Sequence, residues 1–402
     1  MQLVFLGMVF FVIVLLLALG RPLYQAVCGG LAACILLFSI PLSAALGQAA
    51  NVFLNWSSLS VLISLYLITY LQRMLEARSQ IRLAHQDLDG LFHNRRINAA
   101  VAPLFIGLLP SAAAMILCGD IVKDATESYL SREEQAFVTS WFRHIPESTL
   151  PTYAGVLLMA NLAGVPLPRF ILGMLIPMAV LFSLGYWPYL RRLPKDPGTP
   201  VSRHRGRDAL HLVQHLWTLL SILVLILAFQ LAVVPAIAIV IAAGAIVYRF
   251  QPGELVPMFR KAFEKKLLLN TFLVLVLKEF VAYTGALQAL PQTLSGLPIP
   301  TYLIFVLLFF AGGMISGTTG IIAMGTPLAF AAMPGGMPLM VLLMGICHAA
   351  SQVSPTHVCL VVAADYYHVP LGRLIRRTMP MSLLFSIFMI GYYNLMCLLG
   401  IA

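Results

Sequence analysis

Charge is scarce in this sequence. Asp, Glu, Lys and Arg make up 10% of 402 residues, where an average soluble domain carries roughly 25%. There is no polar stretch long enough for a soluble domain, no CxxC pair or His-containing cysteine spacing, no GxSxG or HExxH motif, and no basic leader before the first apolar run. The missing polar surface excludes most soluble cofactor folds. The missing cysteine pattern argues against a disulfide framework, so Cys28, Cys34, Cys118, Cys347, Cys359 and Cys397 read as small residues of apolar segments. Without a basic leader, the first apolar run reads as a retained span, not a secretory signal.

What is present is apolar: 60% of residues are hydrophobic and the mean hydropathy is +0.92. Because a helix needs about 20 apolar residues to cross the hydrocarbon, the length allows on the order of ten spans with short loops. Apolar runs lie at about 2–19, 23–46, 57–75, 148–165, 169–190, 210–230, 232–249, 267–290, 351–367 and 378–400. Two further stretches, about 99–119 and 300–326, are apolar but interrupted by Pro, Gly, Ser and Thr, and are expected to enter the membrane and return on the same side. With both termini outside, that topology leaves only Arg169 and Lys278 of the 25 basic residues off the cytoplasmic side. The net charge of +10 is therefore assigned to cytoplasmic loops of a multi-pass cell (inner) membrane protein, and no nucleic-acid partner is expected.

The chain repeats itself. HIPESTLPTYAGVLLMANLAGVPLPRFI from His144 and HAASQVSPTHVCLVVAADYYHVPLGRLI from His348 pair at a constant offset of 204, matching Pro151 with Pro355, Thr152 with Thr356, Asn161 with Asp365 and Arg169 with Arg373. Upstream, FIGLLPSAAAMI and FAGGMISGTTGII pair Ser111 with Ser316. The Pro-rich, basic stretch 191–209 separates residues 1–190 from 210–402. Since five is odd, two five-span halves in series have opposite orientations. The expected fold is thus an all-α polytopic membrane protein, an inverted 5+5 repeat in which each half carries a re-entrant hairpin and a broken helix.

Broken helices persist in a membrane only where they face protein, water or a ligand, so the breaks mark the site. They fall at Pro110 and Ser111, at Ser316, Gly317, Thr318, Thr319 and Gly320, at Glu147, Ser148, Thr149, Pro151 and Thr152, and at Ser351, Gln352, Ser354, Pro355 and Thr356. Half-helix N-termini there present N–H groups to a carboxylate, while hydroxyls and freed carbonyls suit a small cation. A membrane Ser or Thr more commonly bonds a carbonyl one turn back, so the clustering beside Pro and Gly carries the assignment. Glu147 is the preferred proton or cation site. His144, His348 and His357 are candidate proton carriers, and Lys278, Glu279 and Asp365 are intramembrane or interfacial charges open to structural readings.

The segments GLLPSAAAMI, WFRHIPESTLPTYAGVLLMANLAGV and SQVSPTHVCLVVAADYY resemble the uncharacterised integral-membrane family of the ion transporter superfamily, whose relatives include citrate, dicarboxylate and gluconate permeases. The resemblance covers about residues 50–380. It implies inverted repeats with two re-entrant hairpins, a small carboxylate bound with sodium or protons, a homodimer, and roles for Ser111, Ser316, Gly317, Thr318, Thr319, Pro355, Thr356 and His357. Neither tip carries the Ser-Asn-Thr motif of sodium-coupled dicarboxylate carriers, which leaves both sodium and protons as coupling ions.

The expected function is a secondary active transporter of a small organic anion working by alternating access. Its site residues are Ser111, Glu147, Ser148, Thr149, Thr152, Ser316, Gly317, Thr318, Thr319, Ser354, Pro355, Thr356 and His357. No cofactor is expected beyond a sodium ion at Ser111, Ser316 and Thr318, and the lipid bilayer and the anion are the expected partners. The alternatives are a passive anion channel, disfavoured by the lack of a charged ring or carbonyl filter, and a membrane enzyme, disfavoured by the missing nucleophile motifs.

Overall fold

A computed structural model describes residues 2–80, 83–84, 87, 94–107, 113–196, 205–296, 298–355 and 357–401. The described residues form eighteen α-helices. They are α1 (Gln2–Ala18), α2 (Leu23–Leu37), α3 (Leu42–Leu54), α4 (Trp56–Ala77), α5 (Arg95–Ile106), α6 (Ala113–Thr126), α7 (Arg132–His144), α8 (Ala154–Ala163) and α9 (Leu167–Tyr186). After these come α10 (Arg205–Leu227), α11 (Val233–Val247), α12 (Pro252–Lys261), α13 (Lys265–Thr284), α14 (Leu290–Ser295), α15 (Thr301–Ala332), α16 (Gly336–Ser351), α17 (Val358–Tyr366) and α18 (Leu371–Leu398). Six of them, α4, α9, α10, α13, α15 and α18, are long and apolar enough to cross a bilayer. Such helices point to a membrane protein, and the architecture is consistent with a polytopic one.

The longest helix does not cross as a single rod. In a straight helix Phe309 and Gly325 would lie about 24 Å apart at a 1.5 Å rise. Instead a Cβ added to Gly325 would overlap the Phe309 ring, and one added to Gly312 would overlap the Ile321 side chain. Contacts centred on residue 317 require the chain to reverse there, and Gly317 does so with φ 72° and ψ 169°, backbone that side-chain-bearing residues avoid. Residues 301–316 and 318–332 are thus the two arms of a hairpin, which touch closely because glycines line the seam. The other interrupted stretch behaves alike: Ala102 and Ile106 of α5 cluster with Cys118 and Ile121 of α6, around a tip that falls outside the described residues. Both stretches read from the sequence as hairpins fold back on themselves.

Several expected boundaries move. The run 23–46 is two helices, because the chain leaves α2 at Phe38 and Pro41 starts α3. The run placed at 148–165 holds the first break and the short helix α8, and α7 precedes it. That helix carries five charged or imidazole groups, Arg132, Glu133, Glu134, Arg143 and His144, yet every residue from Gln135 to His144 is buried. Its polar groups face protein instead of lipid, which is why hydropathy overlooked it. A Ser131–Glu134 capping box fixes its start. Likewise the run at 351–367 holds the second break and the short helix α17, and α16 precedes it, buried without interruption from Pro338 to Ser351. Amphipathic α12 was not anticipated, and Arg78 holds it with two 3.0 Å hydrogen bonds to Glu254.

The helix starts obey the repeat. α7, α8 and α9 begin at residues 132, 154 and 167, and α16, α17 and α18 at 336, 358 and 371, each pair 204 apart. The helical bounds of the two hairpins, 95–126 and 301–332, differ by 206 at both ends.

Candidate functional site

The two breaks lie where α7 and α16 stop. After His144 the chain makes a 3-10 turn over Ile145–Ser148, leaves helical geometry at Thr149, and starts α8 at Ala154. The described residues between the end of α16 at Ser351 and the start of α17 at Val358, which are 352–355 and 357, belong to neither helix. Proline at positions 146, 151 and 355 denies backbone donors and disfavours helical geometry in the preceding residue, so neither break can anneal.

These breaks and the tip of the second hairpin enclose a cavity of about 320 Å³. The first break supplies Arg143, Glu147, Ser148, Thr152 and Tyr153, and the start of α8 adds Ala154 and Gly155. The hairpin supplies Thr318 and Thr319, and the second break contributes His348, Ser351 and Cys359. Gln72 of α4 and Glu264 close one end, next to Arg73, which sits 3.0 Å from both Glu76 and Glu264. An adjoining cavity of about 230 Å³ lies between Gly313, Gly317 and Thr318 of the hairpin and Ser351, Ser354, His357 and Cys359.

Arg143 is the group the sequence reading placed wrongly. Counted there as a cytoplasmic loop charge, it is 2% exposed and lines the larger cavity, with Nη1 3.8 Å from Glu147 Oε2. Burying a guanidinium carries a desolvation cost of several kcal/mol, which the neighbouring carboxylate offsets in part. The first-turn N–H groups of α8, at Ala154 and Gly155, have no intrahelical acceptor and add positive potential to the same wall. The cavity therefore pairs a buried cation with hydroxyl donors and two carboxylates, Glu147 and Glu264. Its position is set by packing: a Cβ at Gly107 would overlap the Arg143 carbonyl, and the Tyr153 hydroxyl donates to the Gly107 carbonyl.

The other candidates divide. Glu147, Ser148, Thr152, Thr318 and Thr319 are brought together in the larger cavity, and Gly317, Ser354 and His357 in the adjoining one. Ser316 lines neither; its hydroxyl donates to the Gly312 carbonyl at 2.7 Å, the turn-back bond ordinary for membrane serines. Thr149 is fully buried with its hydroxyl unpartnered, outside both cavity walls, and Pro355 is exposed. The Ser354 hydroxyl donates 2.9 Å to the Met314 carbonyl and joins break to hairpin. Ser111 and Thr356, as well as Pro110, lie outside the described residues. Lys278 donates to Asn161 at 3.3 Å, while Asp365 is exposed. His144 Nε2 lies 3.0 Å from His357 Nε2, and the two rings meet edge to face. Gln352, 1% exposed, has both amide atoms unpartnered beside the second break.

Comparison with known proteins places the chain. It matches the family described as "Protein of unknown function (DUF401)" over residues 2–395, and it belongs to that family. No curated protein sequence matches it. Among solved structures it resembles the YdaH transporter of Alcanivorax borkumensis, whose crystal structure is described as revealing an unusual topology. The similarity covers 90% of this chain and 89% of that one, with a TM-score of 0.60 and 14% identity. At that identity the two share a fold.

Proposed function

We propose that this protein is a secondary active transporter of a small organic anion, in which two inverted five-span halves give alternating access to a midplane site. The observation that carries the reading is Arg143, a buried guanidinium lining a polar cavity between two broken helices and a hairpin tip. A carboxylate is the anion class that a guanidinium, hydroxyls and helix N-termini jointly suit. The constant 204-residue spacing of helix starts supports the two-half architecture, and the fold shared with a transporter supports transport over catalysis. Residues 191–209 are the linker between the halves.

Glu147 supplies the coupling. A carboxylate ligand competes with Glu147 for Arg143, so a proton on Glu147 weakens that competition, and proton and anion bind together. Sodium at Thr318 and the neighbouring carbonyls is the second coupling reading. A homodimer in the cell membrane with both termini outside completes the proposal.

The test is counter-flow in proteoliposomes. Unlabelled carboxylate inside should accelerate entry of labelled carboxylate, and a pH gradient should drive net uptake. Flux that is linear in concentration and indifferent to internal substrate would identify a channel instead. A cysteine placed in the 197–201 loop should react only with reagent applied from the cytoplasmic side.

A further inference from the structure

The anion reading leaves His144, His357 and Cys359 without a role. We propose that these three side chains form a binding site for a soft divalent metal ion, with zinc the ion that their chemistry fits.

Their donor atoms all lie within 4.8 Å of one another. The two Nε2 atoms are 3.0 Å apart, near the separation of neighbouring ligands on one small ion. The tautomer of His144 is fixed: its Nδ1–H donates to the Ser140 carbonyl at 2.5 Å, which leaves the Nε2 lone pair directed at His357. A backbone carbonyl bound to the far nitrogen is the outer support that metal-ligating histidines have. Two imidazoles and a thiolate select zinc or copper over magnesium and calcium, which prefer oxygen. Glu147 Oε2, 3.6 Å from His144 Nε2, is the nearby carboxylate that would serve as a fourth ligand.

The three ligands come from both breaks of the repeat. His144 ends α7, His357 closes the second break, and Cys359 sits in the first turn of α17. More than 200 residues separate His144 from the other two, so no spacing motif announces the site. It is reachable, because Cys359 lines both cavities and His357 the smaller one. Arg143 next to Glu147 opposes a nearby cation. Two negative charges, the Cys359 thiolate and the Glu147 carboxylate, offset that repulsion, so metal binding should release the thiol proton. An ion held here would bridge the two breaks.

This inference goes beyond anion transport and does not depend on it. The experiment is a cobalt titration of the purified, chelator-treated protein in detergent. One Co²⁺ per chain should bind with a thiolate-to-cobalt charge-transfer band, and zinc should displace it. Cys359→Ser should lose the band while keeping a monodisperse elution profile and its thermal unfolding midpoint. His357→Gln should weaken binding at least tenfold, and Arg143→Gln should keep the band, which separates this site from the anion site. Absence of the band in the wild type would overturn the proposal, leaving a hydrogen bond between two imidazoles. So would a band that survives in Cys359→Ser, or unchanged affinity in His357→Gln.

Discussion

Arg143 and Glu147 face each other one turn apart, Nη1 to Oε2 3.8 Å, at the point where α7 gives way to the 3-10 turn of the first break. Neither residue is placed there by hydrophobicity. Arg143 sits on a helix whose last ten residues are all buried, Glu147 on the 3-10 turn that follows it, and both line the cavity.

The first prediction concerns that pair. Hydrogen bonds to charged groups contribute roughly 1.5–3 kcal/mol each, so Arg143→Gln should weaken carboxylate binding by about 10- to 100-fold, and Arg143→Lys by less. Glu147→Gln should keep binding but remove its pH dependence. Thermal stabilisation of the purified variants by a carboxylate panel, at two pH values, reads both effects. Unchanged ligand stabilisation in Arg143→Gln would remove Arg143 from the site.

Thr318 and Ser316 should behave differently although they are two residues apart. Thr318 lines both cavities, whereas the Ser316 hydroxyl is engaged by the Gly312 carbonyl. Thr318→Ala should weaken ligand binding several-fold, roughly the loss of one neutral hydrogen bond of about 1 kcal/mol. Ser316→Ala should leave affinity near wild type. Equal losses in the two variants would contradict the cavity assignment.

The reversal at Gly317 can be trapped chemically. Phe309→Cys with Gly325→Cys should form a disulfide under mild oxidation, because the two arms touch there; in an unbroken helix the pair would be about 24 Å apart and could not react. Gly317→Ala should lower the melting midpoint by a few degrees, since alanine at φ 72° costs roughly 1 kcal/mol or more.

Gly107→Ala tests how the first hairpin positions Arg143. The new Cβ would overlap backbone of α7, which cannot rotate aside as a side chain can. A loss of about 1–3 kcal/mol is expected, in the range of overpacked core substitutions. Anion binding should weaken in parallel, because the Arg143 carbonyl must move. Wild-type melting and binding would show that the two segments separate freely.

By itself the sequence determined that the chain is a membrane protein, that two of its apolar stretches turn back, and where its helices break. These features follow from local causes: run length against bilayer thickness, and Gly and Pro that helical backbone cannot accommodate. The match of Pro151 and Thr152 with Pro355 and Thr356 at the constant offset of 204 also marked both breaks. Only the tertiary structure decided which polar groups share a cavity. α7 is too polar to stand out by hydropathy, and it packs against α5 and α6 just before it and against α17 and α18 more than 200 residues away, so Arg143 reads as a loop charge until those helices are assembled around it. Ser316 and Thr318 look alike in sequence, and only the helical phase around Gly317 sends one hydroxyl to a carbonyl and the other to the cavity. His144, His357 and Cys359 carry no spacing signal at all. Their proximity comes from packing the two breaks against each other, which is a relation between segments more than 200 residues apart and not between neighbours in the chain.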